Sequence, residues 1–231
     1  MVVKKIPPLV SSILTSHWFK GLRRGFSEIK RSAKGAGHEV IYFHQPDDPY
    51  SHLLAQWLPE LKARYNVDLK IVLVGEPDDE AAPERQALDD YAPRDAAKIA
   101  PYHKLDYADP GQQPSAEKLA LARRALAASC NLVSAAADIG AALWRADTAA
   151  LSGYALVSQQ EADAVFDSGT KMRERLGHYL GGGIYYGGEW YWGVDRLPYL
   201  EQRLAKAQLR PPGFQQLAHF QERPSFMAKP A

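Results

Sequence analysis

Val40-Ile41-Tyr42-Phe43-His44-Gln45-Pro46-Asp47-Asp48-Pro49-Tyr50-Ser51 changes character halfway along, and that change decides the fold. Its first half is β-branched and aromatic, the composition of a strand over Val40 to Gln45. Pro46 to Pro49 closes the strand. Beyond it Leu53, Leu54, Trp57, Leu58, Leu61 and Tyr65 recur on one side of a helix. Pro59 is expected to kink that helix, because it has no N–H for the carbonyl four residues back. Val67 to Val74 is a second apolar strand, ended by Gly75. Strand, helix, strand is a βαβ unit with a parallel pair, so the class is α/β.

Upstream, Val10, Ile13, Leu14, Trp18, Phe19, Leu22, Phe26 and Ile29 sit at helical spacing with basic residues between them. They predict an N-terminal helical extension over 1–37, packed on the domain with a solvated basic face or lying on a membrane surface. Downstream, Glu76 to Gln113 is rich in Pro, Asp and Ala, and reads as irregular chain with short helices. Ser115 opens a long alanine-rich helix through Leu143, with Cys130 buried inside it as a small hydrophobe. Ser158 and Glu161 form a capping box for another helix, and a further helix is expected from Thr170 to Leu180. Together these make a helical insertion over about 76–168 within a domain spanning 38–210. Ile184-Tyr185-Tyr186 and Glu189-Trp190-Tyr191-Trp192 flank Gly187-Gly188, the pattern of a tight hairpin. Its alternation sends some rings inward and some out, where they could stack on a substrate or a protein. Asp195 is expected to cap a last helix whose Leu197, Leu200 and Leu204 face inward, and 211–231 reads as an extended tail.

The 231 residues are 46% hydrophobic and 24% charged, an ordinary globular balance. A net charge of +1 removes the electrostatic case for nucleic acid. No run is long and apolar enough for a membrane span, and no secretory signal is expected at the start. The lone Cys130 points to a reducing, cytoplasmic setting without internal disulfides, and no residues stand at metal-ligand spacing.

Two segments carry a resemblance. Tyr42 to Leu53 resembles the strand-turn-helix of 2-hydroxychromene-2-carboxylate isomerases and kappa-class glutathione transferases, where a Ser-Pro-Tyr-Ser run replaces CxxC. Gly188-Glu189-Trp190-Tyr191-Trp192-Gly193-Val194-Asp195-Arg196-Leu197 looks like the Asp-Gly-Glu-x-Phe-Trp-Gly-Gln-Asp-Arg-Leu signature of the same proteins. The likeness spans about Val40 to Leu209 and implies a DsbA-like thioredoxin fold with a long helical insertion. The CxxC position is Asp48-Pro49-Tyr50-Ser51 here. The resemblance further implies glutathione as cofactor, with isomerisation or transfer on a small, aromatic substrate, and not dithiol–disulfide exchange. The family's active-site serine falls on Asp48, and its cis-proline on Gly182 of Gly181-Gly182-Gly183, so weak glutathione binding is expected. By the same likeness Gly181, Gly182, Gly183 and Asp195 are the cofactor-side residues.

A helix N-terminus offers free N–H groups and a partial positive charge to an anion such as a thiolate. Ser51 and Tyr50 bring hydroxyls there, and His44 and His52 are candidate acid–base groups near neutral pH. Asp48 followed by Pro49 is also a strong helix opening, in which the carboxylate caps the same N–H groups. Two readings therefore stand: a glutathione-dependent enzyme using Ser51, Asp48, His52, Tyr50 and His44, or a non-catalytic module retaining the old face for binding or assembly. The partner is a small molecule or a protein, with a homodimer left open.

Overall fold

A computed structural model describes residues 37–77 and 84–207. The expected N-terminal helix and the tail from 211 lie outside those residues.

The core is one sheet of four strands. β1 (Glu39–His44) and β2 (Asp68–Leu73) run parallel, Glu39 beside Asp68 and His44 beside Leu73. β3 (Gly183–Tyr186) lies antiparallel on the other side of β1, with Phe43 beside Gly183 and Val40 beside Tyr186. β4 (Glu189–Trp192) completes the order β2-β1-β3-β4 through the Gly187-Gly188 turn, where both glycines have positive φ. Alternation along β1 feeds two separate cores. Val40 and Tyr42 join the larger one with Leu53, Leu54 and Ile184, while Ile41 and Phe43 pack with Val72, Val74 and Trp190 on the opposite face.

The expected kinked helix is two helices, α1 (Pro49–Ala55) and α2 (Leu58–Arg64). Pro59 sits in the first turn of α2, where its missing N–H is no loss, so the chain restarts instead of bending. The segment read as irregular contains α3 (Arg85–Ile99), with Pro93 inside it. Pro93 leaves the Asp89 carbonyl without its helical donor, and the Gln113 side-chain amide supplies one at 2.8 Å.

The long alanine-rich helix is broken into α4 (Ala116–Ala128) and α5 (Leu132–Trp144), packed on each other as a hairpin. Ser129 turns to extended backbone at ψ 126° and its hydroxyl donates back to the Ala125 carbonyl. Cys130 is therefore in the connection and exposed, contrary to the buried position expected of it. After α6 (Thr148–Ser152), Ser158 and Glu161 form the anticipated capping box, but α7 (Gln159–Arg175) then runs on without the second start expected near Thr170. It ends at Gly177, φ 83°, before the three glycines. α8 (Leu197–Lys206) follows a 3-10 turn at Val194–Arg196. Asp195 lies in that turn and makes no cap bond, a correction to its expected role. Among the described residues no helix is long and apolar enough to cross a membrane.

Candidate functional site

The site is built at the start of α1, where β1 delivers the chain into a turn. Asp48 is its N-cap: Oδ1 accepts from the Tyr50 N–H at 3.2 Å and Oδ2 from the Ser51 N–H at 3.0 Å. The Ser51 hydroxyl donates to the same Oδ2 at 2.8 Å and accepts from the Gln45 N–H at 3.2 Å. A carboxylate thus fills the donors that the resemblance would give to a thiolate, and Ser51 is a committed strut.

The Gly181–Gly183 strap lies over this turn. Gly182 has φ 62°, donates its N–H to the Phe43 carbonyl and accepts from the Gly193 N–H. A Cβ at Gly182 would stand 2.9 Å from Asp48 Oδ2 and 3.2 Å from the Ser51 nitrogen; one at Gly181 would stand 2.4 Å from Gln45 Cβ. Only a bare backbone approaches this closely. No peptide bond among the described residues is cis. Trp192 Nε1 donates to the Gly181 carbonyl at 2.9 Å, and its ring meets Tyr50 edge-on at 5.7 Å. The cleft left between Asp48, Gly181, Trp192 and α3 has a volume of about 30 Å³, room for roughly one water.

Burial pushes Asp48 up to about 6, against the pull of its bonds from Ser51 and Tyr50 and of the nearby Arg85 charge. Asp47 is raised as well, by burial and by Glu76 beside it. Arg85 stands among Glu76 at 3.1 Å, Asp89 at 3.1 Å and Asp47 at 3.5 Å. An unfolded aspartate titrates near about 4. Between there and about 6 the folded state holds the Asp48 proton more tightly than the unfolded chain does, so this group's contribution to stability falls as pH rises through that window. Wild type is therefore expected to lose melting temperature relative to Asp48→Asn between pH 4.5 and pH 7. A difference constant across that range would refute the elevated value.

Tyr42 joins the histidines to the turn. Its hydroxyl donates to the Ser51 carbonyl at 2.5 Å and lies 2.9 Å from His44 Nδ1, so that nitrogen carries hydrogen and donates to Tyr42. Burial, helped by His52, drives His44 down to about 3, and burial drives His52 to about 4. Both are neutral at neutral pH, which overturns the expectation that they titrate there. Burial and a 2.8 Å bond to Asp95 push the Tyr50 phenol upward.

The structure therefore gathers Asp48, Tyr50, Ser51, His52 and His44 at one helix end, with Gly181 and Gly182 against them. Gly183 is set apart in β3, its Cβ direction filled by the Trp190 ring at 3.2 Å. Asp195 is exposed, pairs with Arg196 at 3.3 Å and is not on the cleft wall. Arg85 and Asp89 were not anticipated on this wall, because α3 itself was not.

The sheet order, the βαβ start, the helical insertion and the closing hairpin define a mixed α/β protein of thioredoxin-like, DsbA-type architecture. Among solved structures the chain is similar to a 2-hydroxychromene-2-carboxylate isomerase, at 16% identity and a TM-score of 0.52, over 74% of this chain and 96% of that one. That likeness shows the fold. No family model matches the chain, and no curated protein does.

Proposed function

We propose that this chain is a thiol-independent binding protein on the DsbA-like fold, with a small molecule as its partner. The carrying observation is Asp48, whose carboxylate takes the Tyr50 and Ser51 N–H groups and would repel a thiolate brought to them. The exposed, unpaired Cys130 fits a reducing, cytosolic setting.

Glutathione titrated into the wild type is expected to bind with a dissociation constant in the millimolar range or not at all, roughly 4 kcal/mol or less. Asp48→Ser removes the charge, keeps a cap and rebuilds the Ser-Pro-Tyr-Ser run, so it should bind glutathione more tightly, most visibly above neutral pH. Micromolar binding by the wild type in calorimetry would overturn the proposal.

Glutathione-assisted isomerisation or transfer on a small aromatic substrate is the second reading. It is favoured by the position of Asp48 near pH 6, below which the helix end no longer holds an anion. On that reading glutathione, entering as its neutral thiol because little thiolate exists at such pH, binds the wild type more tightly as pH falls through about 6; on the first its binding stays negligible.

A further inference from the structure

We propose that the outer edge of β2 is a self-association surface, on which the same strand of a second copy pairs antiparallel with Leu69 at the two-fold axis. Asp68 N–H donates to the His38 carbonyl and Val74 N–H to the His44 carbonyl. In the parallel register of β1 and β2, Asp68, Lys70 and Val72 therefore turn their backbone groups towards β1, and Leu69, Ile71 and Leu73 turn theirs away. α7 lies against the last of these, since a Cβ on Gly169 would stand 1.9 Å from the Leu73 oxygen. β2 ends the sheet order, and among the described residues no hydrogen bond reaches Leu69 or Ile71 from the open side. Val67, Leu69 and Ile71 are half-buried against the larger core, while Asp68 and Lys70 are exposed on the opposite face.

A bare edge of this kind is a template for another strand. Its charges choose the strand and the register. With Leu69 on the axis, Asp68 of each copy stands opposite Lys70 of the other, and cross-strand pairs of opposite charge are favourable. On the other face Leu69 meets Leu69 and Ile71 meets Val67, so the half-buried apolar strip is closed from both sides. The Leu69 N–H and C=O of one copy bond those of the other, and each Ile71 N–H reaches a Val67 carbonyl. The Val67 N–H takes no part, because the Tyr65 carbonyl already holds it at 3.0 Å. Shifting the axis to Lys70 sets Lys70 against Lys70, a like-charge pair that costs stability. Shifting it to Ile71 leaves Lys70 opposite Val72 and calls on Leu73, which α7 covers.

The test is sedimentation equilibrium of the full chain at low salt. Wild type is expected to dimerise with a dissociation constant of about 500 µM or tighter. Lys70→Asp alone and Asp68→Lys alone should each weaken association by about tenfold or more, because each sets like charges opposite one another. An equimolar mixture of the two variants should associate again, to within about threefold of wild type, since every strand then faces the opposite charge. Both positions are exposed, so both variants should keep the wild-type melting temperature within a few degrees. A wild type that stays monomeric at about 500 µM, its edge bare or covered from within its own chain, would overturn the proposal. So would a dimer indifferent to both substitutions, or a mixture that associates no better than either variant alone.

Discussion

Gly182→Pro is expected to break the strap over α1 instead of restoring a glutathione site. Proline at this point is what the resemblance to the isomerases would ask for. The residue there has φ 62°, whereas the proline ring holds φ near about −65°. Its N–H donates to the Phe43 carbonyl, a bond proline cannot make. Its Cβ would stand 2.9 Å from Asp48 Oδ2. A wrong φ, a lost bond and a close contact together should cost about 3 kcal/mol or more, enough to unfold a marginal domain. Gly182→Ala keeps the N–H and should cost less, about 1–2 kcal/mol for the left-handed conformation plus the contact. Denaturant midpoints of the two variants and wild type measure the order. A Gly182→Pro protein as stable as wild type and binding glutathione would show that the strap readily adopts the isomerase geometry.

Gly169→Ala carries the other large effect. Gly169 lies in α7, where alanine is intrinsically better by about 1 kcal/mol. Here the sign reverses. A Cβ would stand 1.9 Å from the Leu73 carbonyl oxygen and 2.8 Å from Val72 Cγ1, so the helix must leave the sheet. Moving it pulls Thr170 Oγ1 from the Gly75 N–H, now at 2.9 Å, and Arg173 from the Gly75 carbonyl, now at 3.0 Å. The expected loss is about 4 kcal/mol, at the upper end for single substitutions. Ser168→Ala, at an exposed neighbour, should change stability by about 0.5 kcal/mol or less. Equal stability of Gly169→Ala and wild type in chemical denaturation would refute the contact between α7 and β2.

Elements with strong local chemistry were legible in the sequence. The β-branched run of β1, the Gly187-Gly188 turn and the Ser158–Glu161 capping box each signal their geometry within a few residues. α3 was not, because its interior Pro93 is made tolerable by Gln113, which is far along the chain. The break between α4 and α5 was missed for a different reason. No glycine or proline marks Ser129-Cys130-Asn131, and the turn is held by a side-chain bond and by the packing of the two helices. Of the site, the cluster at the start of α1 and the capping role of Asp48 were readable from Asp-Pro. The closure by Gly182 was not, since it depends on a strap whose path is set by Phe43 and Gly193. The burial that keeps His44 and His52 neutral is likewise tertiary.

The place of β1 in the sheet has a consequence for synthesis on the ribosome. Its β2 side and the Val40–Tyr42 face can be met soon after β1 emerges, by β2 and α1. Its other edge and the Ile41–Phe43 face wait for β3 and for Met172 and Leu176 at the end of α7, all made after the helical insertion. Among the described residues, a nascent chain cut anywhere within the insertion leaves an open strand edge beside an apolar strip not yet met by its later partners, the kind of surface that chaperones hold and that aggregates grow from. Long-range pairing of this sort also slows folding. The segment beginning with α7 is therefore the one whose arrival releases the chain from that exposure.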